Sequence, residues 1–245
     1  MMPVFSLAGL SIPAKPLILL LGFYAALWLG SKGAESLGID GDHVWNGGFL
    51  SVVGGLVVGR LAYAVRYPQV YIQDPWALIS PRLSTFVPWA AVLGGGVFGY
   101  LYIRHHRIPL GRFVDAITPA LVWLWGIVAL ANLFAGDAYG EITNVPWGIE
   151  MWGAVRHPTQ LYDLIGAVLT LFWLFIKPSP RGQGLWGWRL LFAYSVWRLF
   201  TEAFRGDSFV VWGGYRLWQI VALLGALVAL GALARVAPSS RSTRG

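Results

Sequence analysis

The sequence predicts an all-α polytopic membrane protein of about seven transmembrane helices, with the N-terminus outside and the C-terminus in the cytoplasm. Three observations carry this. Of 245 residues, 57% are hydrophobic and only 12% are charged, whereas roughly a quarter of a soluble domain is charged. The apolar residues gather into seven runs, each close to the roughly 20 residues that span hydrocarbon. The basic residues between the runs are denser on one set of connections than on the other, which sets the orientation.

The first run, at 14–31, reads PLILLLGFYAALWLG at its centre. Only Lys15 precedes it and no clean A-x-A site follows, so it is read as a retained helix rather than a cleaved leader. The second and third runs, 47–66 and 87–103, carry the glycine-rich stretches VVGGLVVGR and VLGGGVFGY. Small residues let helix backbones approach closely, and this reading is favoured over a groove that admits a lipid tail. The fourth run is 115–135. The fifth, sixth and seventh, at 160–177, 185–204 and 214–234, are greasy but carry charges. Lys32, Arg104, Arg107, Arg112, Lys177, Arg181, Arg235, Arg241 and Arg244 fall on one side, which is placed in the cytoplasm. Arg66, Arg82, Arg156, Arg205 and Arg216 fall on the other.

No linker divides the chain and no internal repeat stands out. Residues 1–234 are therefore expected to form a single integral membrane domain, and 235–245 a basic, disordered cytoplasmic tail. The absence of a repeat also argues against a small transporter. The net charge of +7 suits cytoplasmic loops and anionic membrane lipids, with no nucleic-acid partner expected. There is no cysteine, so the chain has no thiol nucleophile or disulfide of its own. No His/Asp/Glu grouping has convincing metal-ligand spacing, and neither a metal nor another cofactor is expected.

Charges at membrane depth are costly and normally face a protein interior or a wet cavity. Candidates are Arg60, Asp163, the Arg198–Glu202–Arg205 set, and Asn132, Asp137 and Glu141 after the fourth run. Spacings of four and three put Arg198, Glu202 and Arg205 on one helix face and leave a net cation. This is either a structural ion network or a site for a phosphate, which guanidinium groups bind in bidentate fashion. Arg60 either snorkels to the surface or lines a polar cavity with Arg156 and Arg205. His157 is either a general base or a residue that orients the next helix, whose first turn suits Pro158. His105 and His106 are expected to be solvated.

Taken together, these motifs resemble the prolipoprotein diacylglyceryl transferase family, from about residue 18 to about 232. RHPTQLYD at 156–163 is similar to the family signature R-H-P-S-Q-L-Y-E. GGLVVGRLAYAVRYPQVYIQDP, RLFTEAFRGD and YRLWQIVALLGAL, with Gln219, resemble three further family segments. The resemblance implies transfer of a diacylglyceryl group from phosphatidylglycerol to the lipobox cysteine thiol of a prolipoprotein, forming a thioether. It implies His157, Arg198, Glu202 and Arg205 as catalytic residues. Arg60, Asn132, Asp137, Gly140, Arg156, Gln160 and Tyr162 are implied as substrate-binding residues. Two departures mark a divergent member. Gly94 stands where the family's third-helix histidine would be, and Ala129 where its fourth-helix arginine would be. The alternative reading is a catalytically silent or altered-acceptor relative that binds lipid or lipoprotein precursors.

Overall fold

The computed structural model describes residues 4–7, 10–79, 85–176 and 181–236. Arg82, Lys177, Arg241 and Arg244, with all of the expected tail beyond residue 236, lie outside the described residues. An antiparallel hairpin of β1 (Val4–Leu7) and β2 (Leu10–Pro13) leads into α1 (Ala14–Glu35). Then follow α2 (Asp42–Arg66), the short α3 (Pro68–Gln73), a 3-10 turn at Pro75–Leu78, α4 (Pro88–His105) and α5 (Leu110–Ala135). A second hairpin, β3 (Ile149–Met151) and β4 (Ala154–Arg156), precedes α6 (Thr159–Ile176), α7 (Leu185–Glu202) and α8 (Leu217–Val236). The protein is thus an all-α polytopic membrane protein with two small hairpins, neither of which the helical reading anticipated.

Seven long helices fall on the seven expected runs. Five of them, α1, α2, α5, α6 and α8, are long and apolar enough to cross a membrane. The other two are 18 residues each. Glycine and tyrosine dilute α4, while α7 carries Arg189, Arg198 and Glu202.

Lipid is as apolar as leucine, so hydrophobicity alone gives these helices no reason to associate; close packing does. The chain accordingly turns small residues inward. Gly22, Ala26, Gly30 and Ala34, at four-residue intervals, are buried in α1, which packs chiefly on α5. A methyl group added at Gly33 would lie 2.2 Å from the Ala116 carbonyl oxygen. The two glycine runs meet each other as α2 packs on α4. A methyl group at Gly55 would come within 2.7 Å of the Ala91 carbonyl, and one at Gly95 within 2.8 Å of the Ser51 carbonyl. Large residues point outward: Leu20 is 67% exposed, Phe172 64% and Leu227 56%.

The second half is built around α5, α6, α7 and α8, which pack in sequence. Trp197 lies across Gly166, and its indole N–H donates to the Tyr162 carbonyl at 2.9 Å. At the opposite end of α7, Asp115 is fully buried. One carboxylate oxygen accepts the backbone N–H groups of Gly182, Gln183 and Gly184, and the other accepts those of Trp186 and Gly187. A carboxylate from α5 thereby satisfies the orphan donors at the start of α7, where the helix dipole also favours an anion. α5 begins five residues earlier, at Leu110, so the charge lies inside the helix and not at its edge.

Gly33→Ala should open the α1–α5 contact, because a backbone carbonyl cannot rotate away as a side chain would. We expect a loss of about 1–3 kcal/mol, seen as a lowered melting temperature in detergent. Gly96→Ala, where a methyl group meets nothing within 4 Å, should leave the melting temperature unchanged or slightly raised.

Candidate functional site

The segment between α5 and α6 folds into a small antiparallel layer over one end of the bundle. It starts at Gly136, which takes φ +70° and closes the last turn of α5; glycine adopts this left-handed conformation without penalty. Residues 139–142 then run between two partners. On one side Glu141 N–H donates to the Phe204 carbonyl at 2.8 Å, and Gly206 N–H donates to that of Tyr139 at 3.0 Å. On the other, His157 N–H donates to the Glu141 carbonyl at 3.0 Å, and Thr143 N–H to that of Val155 at 2.9 Å. β4 pairs in turn with β3. The layer thus carries Arg156, His157 and Arg205 on one backbone scaffold, with residues 139–142 between Arg205 and the other two. Gly140 sits at its tightest point, where a methyl group would fall 2.3 Å from the His157 carbonyl oxygen.

Beneath the layer lies the ion network. Glu202 is fully buried. Its carboxylate is 2.7 Å from Arg198 Nη2 and 3.8 Å from Arg205 Nε, while its other oxygen accepts the Ser208 hydroxyl at 2.7 Å. The sequence reading left a net cation on this stripe. The structure adds carboxylates from two further positions, so the group carries no net cation. Asp163 of α6 approaches Arg198 at 3.8 Å, and Asp207 holds Arg205 in a bidentate pair at 2.9 and 2.7 Å. Arg205 also lies beyond α7, which ends at Glu202, so the three residues do not form one helical stripe.

Arg216 had been noted only as a loop charge. Its guanidinium reaches back under the turn after α7 and donates to the Glu202 carbonyl at 2.7 Å, the Arg205 carbonyl at 2.5 Å and Ser208 Oγ at 3.0 Å. It also pairs with Glu141. One side chain therefore ties the start of α8, the end of α7 and the layer together. The signal for it lay in its position just after the Gly213–Gly214 pair, both at positive φ, where the chain folds back on itself.

The remaining expected residues divide. Gln160, 1% exposed, donates its amide N–H to the Asp137 carbonyl at 2.7 Å. The Asp137 carboxylate meets Lys15 of α1 at 2.5 Å, a contact that spacing along the chain could not reveal. Asn132 is half-buried in the last turn of α5, and its carbonyl accepts Asp137 N–H at 3.0 Å. Arg156 binds the Met151 and Gly140 carbonyls at 3.2 and 3.3 Å and lies over the Tyr139 ring, so it braces the layer. His157 and Tyr162 meet at 3.1 Å. Arg60 does not join this group. Its guanidinium donates to the Ala77 and Leu78 carbonyls and to Thr85, and lies over Phe86, on the α2–α4 side of the bundle. His43, one of the chain's other histidines, contacts Tyr102 and His106 near the far end of α4. Among the described residues no group of three or more His, Cys, Asp or Glu is arranged to hold a metal ion.

An apolar groove of about 340 Å³ runs between α7 and α8, lined by Leu191, Tyr194, Ser195, Trp218, Val221, Ala222 and Gly225, with Arg198 in its wall. Another apolar pocket, of about 180 Å³, lies between α1, α2, α4 and α5, away from the ion network.

Comparison with known proteins converges on one family. A family model described as prolipoprotein diacylglyceryl transferase matches residues 3–235. A Streptomyces coelicolor protein, phosphatidylglycerol–prolipoprotein diacylglyceryl transferase 2, is 31% identical over 93% of this chain and 77% of its own length. Transferases of the same description from Clostridioides difficile and Corynebacterium glutamicum are 27% and 28% identical. They cover 91% and 94% of this chain and 90% and 80% of their own lengths.

Arg216→Met should release the turn at 203–209 from α8. Unsatisfied carbonyls and an unpaired Glu141 predict a loss of about 2–4 kcal/mol, with amide hydrogen exchange accelerating first in that turn. Arg216→Lys should recover little, because an ammonium cannot span four acceptors spread over a guanidinium.

Proposed function

The chain belongs to the prolipoprotein diacylglyceryl transferase family, and from that premise we propose that it transfers a diacylglyceryl group from phosphatidylglycerol to the lipobox cysteine thiol of a prolipoprotein. The observation that carries this reading is Arg198: its guanidinium stands in the wall of an apolar groove and beside Glu202 and Asp163. A greasy channel that meets a cation suits a lipid whose tails and phosphate must be held together. In the reaction the substrate thiol sulfur bonds to the glycerol carbon of the diacylglyceryl group. The bond from that carbon to the phosphate oxygen breaks, and glycerol phosphate leaves. The thiol proton passes to a base or to the leaving phosphate. The absence of cysteine in this chain fits a thiol supplied by the substrate.

Arg198 and Arg205 are assigned to the lipid phosphate, where charge accumulates as the group departs. Glu202 orients both. Asp207 holds Arg205 from the more exposed side, with 32% side-chain exposure against 12% for Arg205, so an arriving phosphate displaces Asp207 first. Arg156, His157, Gln160 and Tyr162 shape the mouth where the peptide meets the headgroup. Asn132, Asp137 and Gly140 support it from the α5 side. Arg60 contributes by holding Ala77 and Leu78 on one side and Thr85 and Phe86 on the other. Residues 1–234 act as one membrane domain with seven spans in the bacterial inner membrane, N-terminus outside and C-terminus in the cytoplasm. Because the chain lacks cysteine, single cysteines introduced at Glu150 and Arg107 report the orientation directly. An impermeant maleimide should label the first and not the second in intact cells stripped of the outer barrier.

One set of observations favours a second reading, a lipid-binding relative without transfer. Both arginines are already engaged by carboxylates. Gly94 is buried so tightly that a Cβ would lie 2.4 Å from Val58, and Ala129 is only 4% exposed.

Purified protein in phosphatidylglycerol micelles, mixed with a one-cysteine lipobox peptide, should yield the diacylglyceryl adduct by mass spectrometry. Arg198→Ala and Arg205→Ala should each reduce the yield rate by about 100-fold or more, and the rate is compared per folded molecule because each change also removes a cation from buried Glu202. A folded wild type that makes no adduct, beside an active relative, would count against the transfer and favour a silent, lipid-binding or altered-acceptor relative.

A further inference from the structure

The hydroxyl of Tyr162 has two neighbours. Trp147 Nε1 lies 2.8 Å away and His157 Nδ1 lies 3.1 Å away. An indole N–H only donates, so the phenol oxygen accepts from Trp147. The arrangement that also uses the phenol proton gives it to His157 Nδ1, the hydroxyl's other neighbour within hydrogen-bond reach. A ring nitrogen that accepts carries no proton, and a neutral imidazole has one proton to place, so it resides on Nε2. The ring itself is held firmly. Phe204 packs on it at 4.9 Å between centroids. The His157 backbone is tied to Glu141, and Gly140 lies against its Cβ.

We propose that Trp147 is a positioning residue: acting through the Tyr162 hydroxyl, it fixes neutral His157 as the Nε2–H tautomer, so that the imidazole meets an anionic phosphate oxygen as a hydrogen-bond donor and not as a base. The anion is the one that the neighbouring cations favour, for Arg156 precedes His157 and Arg205 lies two strands away in the same layer. The assignment of the anion rests on the proposed transferase reading; the tautomer does not.

Two measurements test this. Selective ¹⁵N-histidine labelling suits a chain with four histidines, and His157→Asn identifies the His157 signals by their loss. Nε2 should be protonated and Nδ1 bare in the wild type, and Trp147→Phe should convert this into a mixture of tautomers. A protonated Nδ1 in the wild type, or a tautomer indifferent to Trp147→Phe, overturns the proposal whether or not the protein is active. The second measurement uses the transfer assay. The amide nitrogen of glutamine reaches approximately where Nε2 sits, and that of asparagine approximately where Nδ1 sits. His157→Gln should keep the rate within about 10-fold of wild type, while His157→Asn should lose about 100-fold or more. Equal loss in both would mark His157 as a base and overturn the donor role, while a wild type with no activity at all would count against the transferase reading alone.

Discussion

The arrangement depends on one buried carboxylate, that of Glu202. In a low-dielectric interior an uncompensated charge is prohibitive, and breaking one partner of a buried pair typically costs about 3–5 kcal/mol. Glu202 therefore obliges its surroundings to supply cations and donors: Arg198 from its own helix, Arg205 from the turn beyond, and Ser208 from the next loop. These partners come from both sides of the helix end, so α7 must stop at this residue and the chain must bend sharply there. The bend exposes carbonyls, and Arg216 satisfies them from the start of α8. The same bend offers 204–206 as an edge to which 139–142 pairs. Ion network and layer are thus consequences of satisfying one group.

The bundle around it obeys the opposite requirement, that nothing polar should face lipid and that helices without a hydrophobic drive must still adhere. Small residues at four-residue intervals let α1 lie on α5 and α2 on α4 almost backbone to backbone. Between α6 and α7 the contact is made differently, with a Trp197 indole laid across Gly166 and hydrogen-bonded to a carbonyl. The first kind of interface has no room for chemistry, whereas the second leaves side chains between helices. That is consistent with Glu202 and the half-buried Asp163 and Arg198 meeting between α6 and α7, while Arg60, buried on the α2–α4 side, binds backbone carbonyls and Thr85 and lies over Phe86.

Much of this was legible in the sequence. Apolar length located the seven long helices, since the bilayer imposes its own ruler. The glycine runs announced close helix packing, but not that α2 and α4 would be each other's partners. Placing charges on an apolar background singled out Arg198, Glu202, Arg205, Asp163 and Arg60. What could not be read was who meets whom across the chain. Lys15 and Asp137 are 122 positions apart, and no periodicity relates them. Asp207 and Arg216 sit in turns, where side-chain direction follows from the fold and not from a repeat. The layer over the site escaped notice because its strands are three residues long or are isolated bridges, too short for an alternating pattern. Asp115 looked like the edge of a membrane run because a charge normally ends one; only the cluster of N–H groups at the start of α7 explains its burial.

Gly94 shows how packing constrains chemistry. Its α-carbon faces Val58 so closely that any side chain must push α2 away from α4. That seam is held by facing glycines over several turns, so a shift at one point would open the others. A proton-carrying or phosphate-binding residue cannot be housed there while the seam stays closed. Ala129 likewise fills a site already shut by its neighbours. Any cationic assistance this chain gives to a lipid phosphate must then come from the opposite half of the bundle, where charged side chains already stand between helices. Arg198 and Arg205 are each held by a carboxylate, whereas Arg156 is held by backbone carbonyls. Under the proposed transferase reading, a phosphate would exchange with Asp207, the most exposed carboxylate on Arg198 and Arg205. Asp207 stays tethered two residues from Arg205, so it is at hand to pair with that arginine again when such an anion departs.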